Sequence, residues 1–128
     1  MKGKYVDGFV FPITKKNVAA YTKMAEWGAH TWMKAGALAY YECMGDDLKV
    51  KADPSGAKPR SFKATANAKG TETVWFSFIV YRNKAHRDAV NKKVNAQMNA
   101  EAEKWKDFTM PFDPRRMSYG GFRAVVTR

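Results

Sequence analysis

Four segments of this chain alternate apolar and polar side chains with the period of two that suits a strand, and two others carry apolar residues at helical spacing. Lys4 to Phe11 places Tyr5, Asp7, Phe9 and Phe11 on one side and Val6, Gly8 and Val10 on the other, and Pro12 is expected to end this strand. A helix follows from about Lys15 to Lys34. Thr14 is its predicted N-cap, Val18, Tyr21, Ala25, Gly28, Ala29 and Trp32 form its apolar stripe, and Gly36 stops it. The second strand, Ala37 to Met44, sets Ala37, Ala39, Tyr41 and Cys43 against Leu38, Tyr40, Glu42 and Met44. In the third, Thr73 to Tyr81, Val74, Phe76, Phe78 and Val80 alternate with Trp75, Ser77, Ile79 and Tyr81. Asn83 then caps a helix from about Lys84 to Ala100, with a short turn through Trp105. A last strand from about Arg116 to Val126 is interrupted at Gly120-Gly121, where a bulge or the close approach of another backbone is expected.

The resulting order, β-α-β-β-α-β, predicts an α+β fold in which a split β-α-β unit is used twice. Such a chain builds a four-stranded antiparallel sheet with both helices on one face. The 128 residues suit one domain, 1–128, interrupted by a long loop at about 46–71 that is rich in Lys, Ala, Ser, Gly and Pro. Phe62 is the loop's one large apolar anchor, and the segment reads as a mobile loop or a lid. The sets containing Val6, Ala39 and Val74 carry no charge, so they are expected under the helices. The opposite sets hold Asp7, Glu42 and Ser77 among aromatic rings, too apolar for water and too polar for an ordinary core. Two such faces closed against each other in a homodimer would make a barrel with an aromatic interior.

Composition narrows the function classes. No run of apolar residues is long enough to cross a membrane, and Met1 to Lys4 leads straight into a strand, so a soluble, cytoplasmic protein is expected. The single cysteine, Cys43, reads as a small buried hydrophobe, and no Cys/His spacing suits a metal. Neither a phosphate-binding loop nor a dinucleotide fingerprint occurs, and no cofactor is expected. The formal charge of +11 comes from basic residues scattered along the chain. This predicts a solvated surface with weak, nonspecific attraction for nucleic acid.

Several segments resemble a small bacterial family of unknown function, the YbaA-like proteins. They are Tyr5-Val6-Asp7-Gly8-Phe9-Val10, Gly36 to Cys43, Glu72 to Tyr81, Ala85-His86-Arg87-Asp88 with Val90-Asn91, and Met110-Pro111-Phe112-Asp113 through Arg116-Met117 to Tyr119-Gly120-Gly121-Phe122. The element order resembles the ferredoxin-like domains of the dimeric α+β-barrel superfamily. That resemblance implies a homodimer and leaves the chemistry open, because the superfamily holds both enzymes and binding proteins.

Asp7 and Glu42 are the candidates for chemistry, since a carboxylate on a central strand needs a cation, several donors or a raised pKa. Arg116 or Arg123 could pair with one of them in a structural bridge. Alternatively, one stays a proton acceptor in an aromatic cavity where Tyr40, Trp75 or Tyr119 holds a planar ligand, with Arg116 nearby. His86 is either a base or a helix-start histidine bonded to backbone; His30 reads as a surface residue. The expected function is binding of a small organic molecule in the barrel cleft, with cofactor-free acid/base or oxidative chemistry possible there. The alternatives are a basic RNA- or anion-binding protein and a structural dimer without a specific ligand.

Overall fold

A computed structural model describes residues 4–128; the expectation for the segment before Lys4 falls outside the described residues. The strands are β1 (Tyr5–Thr14), β2 (Ala39–Met44), β3 (Glu72–Tyr81) and β4 (Ser118–Arg123). The helices are α1 (Val18–Lys34), α2 (Phe62–Thr65), α3 (Lys84–Ala100) and α4 (Ala102–Trp105). All strand pairs are antiparallel, and the sheet order is β2-β3-β1-β4, so β1 and β3 are central.

β1 does not end at Pro12. Its pairing with β4 stops at Val10↔Ser118, whereas its pairing with β3 continues to Thr14↔Glu72. Beyond Val10 the strand is an edge on one side, where a residue without an N–H costs no ladder bond. Thr14 precedes a 3₁₀ turn, Lys15–Asn17, and its hydroxyl makes no capping bond; α1 proper begins one turn later than the sequence implies. At the other end of α1, Gly36 adopts φ +116°, the Gly36 N–H donates to the Met33 carbonyl at 3.1 Å, and the Ala37 N–H donates to Trp32 at 3.0 Å. This paired closure needs a left-handed residue, which explains the glycine. Asn83 caps α3 as expected, its side chain accepting from the His86 N–H at 2.8 Å.

The faces of the sheet are the reverse of the sequence expectation. Two buried clusters lie between the sheet and the helices, one of Phe11, Ile13, Tyr21, Ala25 and Trp75, the other of Ala37, Ile79, Tyr81, Val90 and Val94. The aromatic set with Asp7, Glu42 and Ser77 therefore lies beneath α1 and α3. The charge-free set of Val6, Gly8, Val10, Phe76, Phe78 and Val80 forms the uncovered face. Bulky rings fill the wedge between rounded helices and a twisted sheet, and donors carried by the helices receive the carboxylates. Absence of charge could not distinguish the faces. Cys43, placed on this uncovered side, is exposed rather than buried.

β4 pairs with β1 residue for residue, without the expected bulge. Its glycines serve close approach by side chains: a Cβ at Gly121 would overlap the Tyr5 phenol, and Gly8 opposite Gly120 leaves a flat floor beneath the Phe122 ring. The 46–71 loop contains one helical turn, α2, capped by the Ser61 hydroxyl, which accepts from the Ala64 N–H at 3.1 Å. Phe62 meets Phe76 edge-on at 6.3 Å, which attaches the loop to the uncovered face.

Candidate functional site

Glu42, the fourth residue of β2, points inward beneath α1. Its Oε1 accepts from the Tyr21 hydroxyl at 2.8 Å and from Trp75 Nε1 at 2.8 Å, and its Oε2 accepts from the Tyr40 hydroxyl at 2.6 Å. No cation stands within ion-pair distance of it among the described residues. A carboxylate offers about four acceptor positions, and protein donors take three of them, two on Oε1 and one on Oε2. Burial first, and the charge of Glu42 second, push the hydroxyls of Tyr21 and Tyr40 far above the ordinary phenol value. Both are thus neutral donors at any physiological pH.

Around this carboxylate lies a cavity of about 230 Å³, walled by Phe9, Phe11, Trp27, Trp32, Phe112 and Met117. Gly28 of α1 faces it, because a Cβ there would stand 2.5 Å from the Tyr40 hydroxyl. Glu42, Tyr40 and Ala25 also line an outer cleft of about 320 Å³ beside β2. The carboxylate therefore stands between the interior and the surface.

Asp7 occupies a different place, beneath α3. It is 1% exposed, and Arg87 Nη1 donates to its Oδ1 at 2.7 Å. The cation comes from α3, not from Arg116 or Arg123. Arg87 also donates to the Tyr119 hydroxyl at 3.2 Å and lies 5.0 Å over the Tyr5 ring. Asn91 Oδ1 accepts from Trp32 Nε1 at 3.1 Å and from the Tyr81 hydroxyl at 3.4 Å, and the Asn91 and Tyr81 side chains also favour the charged form of Asp7. Burial raises the Asp7 pKa, with the Arg87 charge opposing it. This is a closed structural network, and Asp7 does not line the cavity.

The remaining candidates are scattered. His86 accepts from the Arg82 N–H through Nδ1 at 2.9 Å, and burial, reinforced by Arg82, lowers its pKa; it holds the start of α3 and is not a cavity residue. Arg116 forms a two-point bridge with Glu72, Nη1 to Oε2 at 2.6 Å and Nη2 to Oε1 at 3.0 Å, and also donates to the Asn67 carbonyl. Tyr40 and Trp75 do join Glu42, whereas Tyr119 joins Arg87, the partner of Asp7. Tyr21 and Arg87 were missed as site residues. Tyr21 was visible only as part of the α1 apolar stripe, and Arg87 precedes Val90 by three residues and Val94 by seven, on the buried side of α3.

The Glu72 bridge sets an acid limb of stability. Hydrogen bonding to Arg116 holds the Glu72 pKa below the ordinary glutamate value, so the folded state binds fewer protons there than the unfolded chain. Its contribution is present above the ordinary value and lost as pH falls through the lowered one. Arg116→Ala is expected to flatten the loss of melting temperature between about pH 6 and 3, measured by calorimetry in parallel with the parent.

The fold and cavity define an α+β protein in which two helices cover one side of an antiparallel sheet and enclose an aromatic chamber around one carboxylate. The chain belongs to the family described as "Protein of unknown function (DUF1428)", which its residues 4–114 match. It is 38% identical over 125 residues to the uncharacterized protein YbaA of Escherichia coli (strain K12), the match covering 96% of this chain and 97% of that protein. YbaA of Shigella flexneri is equally similar over the same extent. No helix among the described residues is long and apolar enough to cross a membrane, and no metal-ligating cluster occurs among them.

Proposed function

We propose that this protein binds a small aromatic or amphipathic organic molecule in the chamber beneath α1, with Glu42 as the polar anchor. The observation that carries the reading is a half-buried carboxylate held by three neutral donors, with no cation beside it among the described residues, where an aromatic chamber meets an outer cleft. A ligand hydroxyl or amine that donates to Oε2 completes the set, and the surrounding rings hold its apolar body. The same carboxylate is available as a proton acceptor toward an acidic ligand, which is the form any chemistry here would take.

The order β2-β3-β1-β4 supports a ferredoxin-like domain, and the uncovered face supports a homodimer in which two sheets meet. In this arrangement the ligand chamber lies within each protomer, on the helix side, and not in the barrel between the sheets. A single domain in the cytoplasm accords with this reading.

A bicyclic phenol, 1-naphthol, serves as the first probe. Calorimetry is expected to show saturable binding, and Glu42→Gln to weaken it at least about tenfold, because a hydrogen bond to a charged acceptor is worth about 1.5–3 kcal/mol. The same variant should stay folded, with its circular dichroism unchanged, so that a loss of affinity can be read at the anchor itself. Unchanged affinity in a folded Glu42→Gln protein would refute the anchor.

A further inference from the structure

Three of the five lysines of the 46–71 loop, scattered in sequence, come together in the fold. Lys49 and Lys58 of the loop, Lys63 of α2 and Lys15 of the turn after β1 all line one open cavity of about 710 Å³. The Lys15 N–H donates to the Thr71 carbonyl at 3.1 Å, which joins the two ends of the wall. None of the four ammonium groups has a carboxylate within ion-pair distance among the described residues. Two acidic residues share the lining, Asp46 and Glu72. The Glu72 charge is already taken by Arg116. Four lysines thus line a concave site that carries one free acidic residue, Asp46.

We propose that this cavity is a binding site for a small molecule carrying two or more phosphate groups. The choice of residue type supports a polyphosphate over a single carboxylate. A lone carboxylate is best held by the planar fork of an arginine, whereas separate flexible ammonium groups follow charge spread along a chain of phosphates. The concave shape and the volume fit a ligand of nucleotide size. The site lies apart from the chamber around Glu42, with which it shares no lining residue, and it does not depend on that reading.

Inorganic tripolyphosphate is the probe, titrated calorimetrically into the full chain at about 0.15 M salt, where loose surface attraction is largely screened. One-to-one binding is expected. The pair Lys49→Ala and Lys58→Ala should weaken it by about tenfold or more, while the equally charged change Lys92→Ala and Lys93→Ala, on the exposed side of α3, should alter it less than about twofold. Asp46→Asn should strengthen binding by roughly threefold, because it removes the cavity's one unbalanced negative charge. Equal weakening by the two lysine pairs would reduce the effect to net charge and overturn the proposal. So would no measurable binding, or a single-stranded oligonucleotide binding through the same lysines more tightly than tripolyphosphate.

Discussion

Replacing Arg87 by methionine is expected to lower the unfolding free energy at neutral pH by about 3 to 5 kcal/mol, the loss usual when one member of a buried ion pair is removed. Methionine keeps much of the packing volume against Tyr5 while deleting the charge. The effect arises at Asp7, a central-strand carboxylate that burial already disfavours and that then lacks its cation. The neutral side chains of Asn91 and Tyr81 favour its charged form but do not balance a charge. Adding Asp7→Asn in the same chain should recover at least about half of the loss, because the uncompensated charge goes with it. Urea denaturation of the two single variants and the double variant closes the cycle. If the double variant is no more stable than Arg87→Met alone, the pair is not the source of the cost.

A charge placed on the uncovered face is expected to have an equally large effect, on assembly and not on folding. The parent should sediment at about twice the chain mass of 14.5 kDa, because Phe76, Tyr41 and Phe122 present a broad apolar surface, each more than 40% exposed in the single chain. Between Val6, Gly8 and Phe122 lies a groove of about 600 Å³ whose lining carries no charged side chain. Phe76→Lys would bring two ammonium groups into an apolar interface related by a two-fold axis, weakening association by at least about thirtyfold. Phe76 is exposed in the protomer, so its circular dichroism and melting should survive the change. A parent that sediments as a monomer across the micromolar range would remove the dimer from the proposal.

The sequence was a good guide to elements and a poor one to sides. Strand periodicity located β3 to within a residue, and the Asn83 and Gly36 signals placed helix ends that the backbone bonds bear out. Both signals are local, so they survive folding unchanged. The assignment of faces failed because both faces of this sheet are apolar, and what distinguishes them is where the helices bring their donors. Tyr21 and Arg87, on separate helices, decide it by bonding Glu42 and Asp7. Such pairings span 21 and 80 residues in sequence, beyond any window of alternation. Pro12 misled for a related reason, since its tolerance depends on where the neighbouring strand β4 ends. The lysine cavity was illegible because its wall is drawn from four separated stretches, at Lys15, 45–50, 58–63 and 72–73.

The aromatic chamber also determines what the protein's own light reports. Of its four tryptophans, Trp27 and Trp32 line the chamber, Trp75 donates to the carboxylate within it, and Trp105 packs against Trp27 at 5.1 Å. The uncovered sheet face holds phenylalanine and tyrosine but no tryptophan. Intrinsic indole emission is therefore a label-free signal from a single compartment. It is expected to shift when a ligand enters the chamber or when Glu42 is replaced by Gln, and to stay unchanged on association through the uncovered face.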